Sequence, residues 1–224
     1  MIHRFLSMMD RVAAHPSVRV LHRHVFPAAP EAEMVSVERD LGLALPPALR
    51  RLYQEANGFQ FSWVHRQSKT EVRLPASGPL DPLYTDELDV EPTGCINLVP
   101  LAVAFRGAAR GGRHFDEGVC PFDWFSFYND VSFDRLRPGM PLLLADGHHD
   151  GRFDSFLTDA ESYLEFLLFT AGHVEARRVF YEGRTNAGLW LRTPRSYFEQ
   201  HSLPDLGVEA FACALDRDSA QVKP

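Results

Sequence analysis

The chain has 224 residues, 45% of them hydrophobic with 17 phenylalanines, and a formal net charge of -7. That is apolar material for one large domain or one domain with extensions, and no stretch approaches the ~20 apolar residues of a membrane-spanning helix. The acidic balance argues against general nucleic-acid binding, which needs phosphate-neutralising cations, and leaves a basic protein as an allowed partner.

The N-terminal residues lack the continuous apolar run of a signal peptide. Cys95, Cys120 and Cys213 stand at unrelated spacings, which fits a reducing compartment better than a disulfide framework, so a cytoplasmic protein is expected.

Ile2, Phe5, Leu6 and Met9, followed by Val12 or Ala13, predict an amphipathic helix that ends near His15-Pro16. Residues 17–26 are ambiguous: Val18 and Val20 alternate as in a strand, whereas Leu21 and Val25 suit a helix. Pro27-Ala28-Ala29-Pro30 is a break before the best-defined stretch, 31–64. There Met34, Val37 or Glu38, and Leu41 predict a helix with Gly42 at a left-handed C-cap. Pro47 fits the first position of a second helix, where its missing N–H costs nothing. Leu49, Leu52, Tyr53 and Ala56 make that helix apolar on one face; Arg50, Arg51, Gln54 and Glu55 take the wet face, and Asn57-Gly58 ends it. Phe59, Phe61 and Trp63 then alternate with Gln60 and Ser62, which is strand period.

Further along, Val72 and Leu74 predict a short strand, and 76–94 a long loop with Pro79, Pro82 and Pro92. Ile96 and Leu98 restart a strand that leads into an apolar segment reaching Phe105. Residues 106–118 are Gly-rich and read as a surface loop, whereas 122–128 are apolar on both faces and predict a central buried strand. Pro138-Gly139 is a turn, 142–145 a buried strand, 146–151 a turn and 152–157 its hairpin partner. Thr158 and Glu161 have the spacing of a capping box. Behind it Ala160, Tyr163, Leu164, Leu167, Leu168 and Ala171 keep helical period as far as a stop at Gly172. Beyond His173 the signal weakens: 177–181 and 189–191 are candidate strands, Thr193-Pro194 opens a short helix, and 217–224 read as a frayed tail.

The ordered set Glu38, Leu41-Gly42, Leu45-Pro46, Leu49, Leu52 or Tyr53, and Asn57-Gly58 resembles the SUKH superfamily (Smi/Knr-like). That superfamily includes fungal cell-wall regulators and bacterial immunity proteins that neutralise polymorphic toxins. Residues 141–168 resemble its closing strand, turn, strand and helix, so the resemblance brackets roughly 31–172. The chain departs from the pattern in a long insert before Asn97 and in its last fifty residues. The resemblance implies an α+β fold with a central, mainly antiparallel sheet flanked by helices. It divides the chain into an N-terminal helical extension (1–30), a core (31–172) and a C-terminal extension (173–224). It also implies a non-catalytic domain that binds a protein.

Other constellations are weighed against plainer readings. His148-His149-Asp150 has ligand chemistry for a divalent metal or an HD phosphohydrolase, but it lies in a Gly-flanked turn, where a solvated hairpin is the plainer reading. His22 and His24 could share a strand face as half of a zinc site, yet no second pair at convincing spacing follows, and ordinary surface histidines are the plainer reading. Cys95 and Cys120 lack a CxxC context and read as structural thiols. The 107–112 loop with Arg106, Arg110 and Arg113 has glycines for a phosphate cradle but lacks the Gly-Lys-Ser/Thr ending of a Walker motif. No cofactor or metal is expected.

The acidic residues are unevenly spread. Asp81, Asp86, Glu87, Asp89 and Glu91 crowd one loop without a base, and Asp146, Asp150, Asp154, Asp159, Glu161 and Glu165 share a second stretch with Arg152 alone. One reading is a solvated face; the other is an electrostatic footprint for a basic partner such as a nuclease toxin. Tyr84 and Trp63 are the nearby aromatics, and Trp63 serves equally well in the core. The expected contact residues are therefore Asp81, Tyr84, Asp86, Glu87, Asp89, Glu91, Asp154 and Glu161. The leading expectation is a bacterial immunity protein that occludes a basic toxin domain. The alternatives are a structural or regulatory interaction module and a metal-dependent hydrolase using His148, His149 and Asp150.

Overall fold

The computed structural model describes residues 1–16, 18–66, 78–80, 92–106, 118–125, 129–137, 139–146 and 154–174. In chain order the elements are α1 (Ile2–Ala14), β1 (Val18–Val25), α2 (Glu31–Leu41), α3 (Pro47–Glu55), β2 (Phe59–His65), β3 (Gly94–Leu98), α4 (Leu101–Arg106), β4 (Val119–Asp123), β5 (Asn129–Asp134), β6 (Leu142–Asp146), β7 (Asp154–Thr158) and α5 (Ala160–Thr170). The seven described strands form one sheet in the order β1 to β7, every neighbouring pair antiparallel. The chain is thus α+β, with helices inserted between sequential strands. No described helix is long and apolar enough to cross a membrane.

One face of the sheet carries Phe59, Phe61 and Trp63 on β2, opposite Leu98, Ile96 and Gly94 on β3. The Phe5 ring of α1 meets Phe59 at 4.7 Å. The Trp63 indole N–H donates to the Ala171 carbonyl just past α5, at 2.8 Å. These contacts place α1 and α5 on that face. Leu45, Leu49, Leu52, Leu164 and Leu167 lie in the same buried cluster, and Leu41 is partly buried against it. Gly94 is where Trp63 needs room, since a Cβ there would overlap the indole. Gly94→Ala is expected to cost roughly 1–3 kcal/mol of overpacking in urea denaturation. A cost near zero would mean that the indole moves aside freely.

Residues 1–30 are part of this packing unit and not an extension to it. Phe5, Met8, Met9 and Val12 are fully buried in the common core, and β1 is a strand of the common sheet. The ambiguity at 17–26 has a physical cause: the ladder slips between Val20 and His22, so the side-chain alternation breaks there. Val20 pairs with Trp63, but after the slip His22 pairs with Ser62 and so turns to the opposite face.

Three further expectations are corrected. The strand expected at 122–128 runs instead over Val119–Asp123, with 126–128 outside the described residues, and Asn129–Asp134 is a strand where none is expected. The aromatic run drew the prediction downstream, but Trp124 and Phe125 already lie outside the strand. The cap of α5 is Asp159, whose carboxylate accepts the Ser162 N–H at 2.7 Å, and not Thr158. The helix begins at Ala160, so Asp159 stands at the N-cap, where a carboxylate also favours the helix dipole. Finally Ala171 joins Gly172 in positive φ at the end of α5.

The β3–β4 seam is narrow. Among the described residues its ladder pairs Leu98 with Asp123. Beside that pair Trp124 N–H donates to Asn97 O at 2.9 Å and Val99 N–H to Phe122 O at 3.0 Å. Nearer the start of β3, Cys95 N–H donates instead to Gly172 O at 2.8 Å, and Gly94 bridges His173. The chain leaving α5 therefore shares this edge of β3 with β4.

Candidate functional site

A strand alternating Phe, Gln, Phe, Ser reads as half-buried, but β2 is buried on both faces. Gln60 is 1% exposed and Ser62 2%. Register pairing puts His24 beside Gln60 and His22 beside Ser62 on β1, and Asn97 beside Gln60 and Cys95 beside Ser62 on β3. The second face of the sheet therefore carries a polar band across three strands, with His22, Asn97 and Cys95 also buried. The slip in β1 is what brings His22 into this band, and no periodicity in the sequence announces it.

The band holds down the connection between β2 and β3. The Gln60 carboxamide accepts the Leu80 N–H at 2.9 Å and donates to the Leu80 carbonyl at 3.2 Å, as a neighbouring strand would. It also donates to Asn97 Oδ1 at 3.3 Å, and Asn97 Nδ2 donates to Trp124 O at 3.0 Å. Leu80 itself is buried. At the far end of the connection Pro92 is buried, and Val174 N–H donates to Thr93 O at 3.0 Å. The acidic stretch 81–91 thus springs from two fixed roots.

Asp81, Tyr84, Asp86, Glu87, Asp89 and Glu91 themselves lie outside the described residues, as do His148, His149, Asp150, Cys213 and the 107–112 loop. Asp154 opens β7 with its backbone paired to Leu144. Glu161 is exposed in the first turn of α5, 3.6 Å from the Arg51 guanidinium. Glu165 holds Arg4 of α1 through both oxygens, one bond at 2.7 Å, which raises the arginine pKa. The second acidic run is therefore partly neutralised by arginines far away in sequence, a compensation invisible to local charge counting. Glu55 is likewise engaged. It accepts the Met1 ammonium and the Ile2 N–H, each at 2.6 Å, which lowers its pKa.

Trp63 is fully buried in the core, so it is not an anchor for a partner. Cys95 and Cys120 are buried cysteines, and burial pushes Cys120 up to about 11, away from thiolate chemistry. His22 is shifted down from the ordinary histidine value: burial dominates, opposed by a hydrogen bond to Gln60 and reinforced by the neighbouring His24. His22 and His24 share a face, but His22 is buried and not the surface histidine that the sequence favours, because the slip in β1 turns it into the band. Among the described residues no group of three or more metal-ligating side chains is assembled.

Among the described residues Asp123 is the fully buried acid. A bulge between Pro121 and Asp123 turns it toward α5. There its carboxylate accepts the Tyr163 hydroxyl at 2.6 Å and the Asn97 N–H at 2.8 Å. It closes the narrow seam by side chain where the ladder is short. Comparison of the chain with family models, with curated proteins and with solved structures finds no match in any of the three.

Proposed function

We propose that this chain is a non-catalytic, SUKH-like protein-binding domain. In this reading it is a cytoplasmic bacterial immunity protein whose acidic stretch 81–91 binds and occludes a basic toxin domain. The observation that carries the reading is the rooting of that stretch. Its entry is held by Gln60 through Leu80 and its exit by the pairing of Thr93 and Gly94 with the chain after α5. Five carboxylates between these roots, without a lysine or arginine, repel one another in the free protein. An approaching cationic surface relieves that repulsion and speeds encounter. Fixed roots lower the ordering entropy lost on binding. Buried thiols at Cys95 and Cys120 accord with a reducing compartment.

The test uses the protein encoded by the reading frame next to this gene as the binding partner. Asp86→Lys/Glu87→Lys is expected to slow association on the order of tenfold at low salt, with a smaller effect at moderate salt and an unchanged thermal midpoint. Asp154→Lys/Glu161→Lys is the comparison, since Glu161 already faces Arg51. If neither double variant changes the association rate, the acidic residues are solvated surface and the reading fails.

A further inference from the structure

We propose that His22, Gln60 and Leu80 form an acid-released clamp: a proton on His22 draws the Gln60 carboxamide away from the Leu80 backbone and frees the chain where it enters the acidic stretch. The clamp stands on its own geometry, and its regulatory meaning rests on the reading of 81–91 as the contact surface.

The Gln60 oxygen is the shared atom. It accepts the Leu80 N–H at 2.9 Å, while the amide nitrogen serves Leu80 O and Asn97 Oδ1. His22 stands one position along the same face, opposite Ser62. It is 6% exposed, and neither its Nε2 nor Ser62 Oγ has a hydrogen-bond partner. A neutral imidazole offers one donor and one acceptor; a protonated ring offers two donors and no acceptor. Its charge-assisted bonds are roughly twice as strong as neutral ones. The acceptor side chains facing it are Gln60, whose hydrogen bond favours the protonated ring, and Ser62. A proton on His22 therefore adds a charged donor on the face that holds the Gln60 oxygen, the atom on which the Leu80 N–H depends.

The charges around the band make closed-state protonation costly. His24 shares the face from the same strand, and Arg19, opposite Val64, lies on it too. From β2 the ring meets Gln60 and Ser62, and the next strand contributes Asn97 and Cys95, none of them anionic. Arg66 donates to Val18 O at 2.9 Å beside the start of β1. Asp10 of α1 is spent on Arg23, which points to the other face, at 2.6 Å. Among the described residues no carboxylate offsets a buried imidazolium. The closed form thus holds its His22 pKa below the ordinary value of about 6.5, whereas an opened, hydrated His22 titrates there. A group depressed in the closed state contributes its stabilisation above about pH 6.5 and loses it as pH falls.

The experiment uses the full chain, labelled with 15N, and no partner, so its outcome is separate from that of the binding test. Leu80 amide protection, corrected for intrinsic exchange, is followed from pH 7.5 to 5.0 alongside the His22 ring resonances. Protection at Leu80 is expected to fall by up to about tenfold per pH unit below about pH 6.5 and to level off once the ring's own lower midpoint is passed, while the Leu167 amide in α5 does not follow it. His22→Gln is expected to make Leu80 protection independent of pH over this range. The proposal is overturned if Leu80 protection stays constant while the ring titrates, or if the pH dependence survives in His22→Gln. Should that variant not fold, the wild-type titration decides alone: the Leu80 amide shift and the His22 ring must share one midpoint, and separate midpoints overturn the clamp.

Discussion

Asp123→Ala is expected to bring the fold close to its stability limit. The substitution leaves the Tyr163 hydroxyl and the Asn97 N–H without their acceptor in a site that is fully buried. A buried donor stripped of its partner costs about 1–3 kcal/mol, so the pair costs roughly 2–6 kcal/mol. Natural domains hold only about 5–15 kcal/mol in total. Asp123→Asn is the informative companion. It keeps one carbonyl oxygen, and the Tyr163 hydroxyl can turn from donor to acceptor, so most of the loss should be recovered. Chemical denaturation of both proteins checks this, and an alanine variant within 1 kcal/mol of wild type would show that the seam does not depend on the carboxylate.

Leu52→Ala should cost about 2–5 kcal/mol, the range for deleting a buried leucine side chain and leaving a cavity. Leu52 is 0% exposed on α3, in the cluster that also holds Leu49, Tyr53, Leu164 and Leu167. Leu41→Ala provides the scale, because Leu41 is only partly buried at the end of α2 and should cost clearly less. Urea denaturation with an unchanged m-value would locate the effect in the native core. Equal costs at the two positions would contradict the packing described for α3.

The local chemistry of helix ends and apolar faces was legible before any coordinates. Gly42 takes the left-handed C-cap, Pro47 stands at the start of α3, and the β6–β7 hairpin and α5 follow the pattern of their apolar residues. What periodicity missed depends on tertiary context. One extra residue in β1 sends His22 to the other face, and one in β4 turns Asp123 inward, though neither leaves a local signature. Gln60, Ser62 and Asn97 look like solvent-facing residues in sequence, yet they are buried because neighbouring strands and Leu80 satisfy or cover them. The charge count at 146–165 misled for a related reason: Arg4 and Arg51 come to α5 from other helices.

The connection at 66–93 leaves β2 and rejoins at β3, two strands already paired along Phe59–Trp63 and Gly94–Leu98. Closing a chain between fixed ends costs free energy only with the logarithm of its length, so doubling that length adds just about 0.6 kcal/mol. Residues can be gained, lost or replaced between Leu80 and Pro92 with little penalty, provided that the two roots keep their backbone bonds. On the proposed reading, a change of partner can therefore be met by rewriting this segment while the sheet beneath it stays the same, and the positions constrained in that process are buried ones such as Gln60 and Gly94.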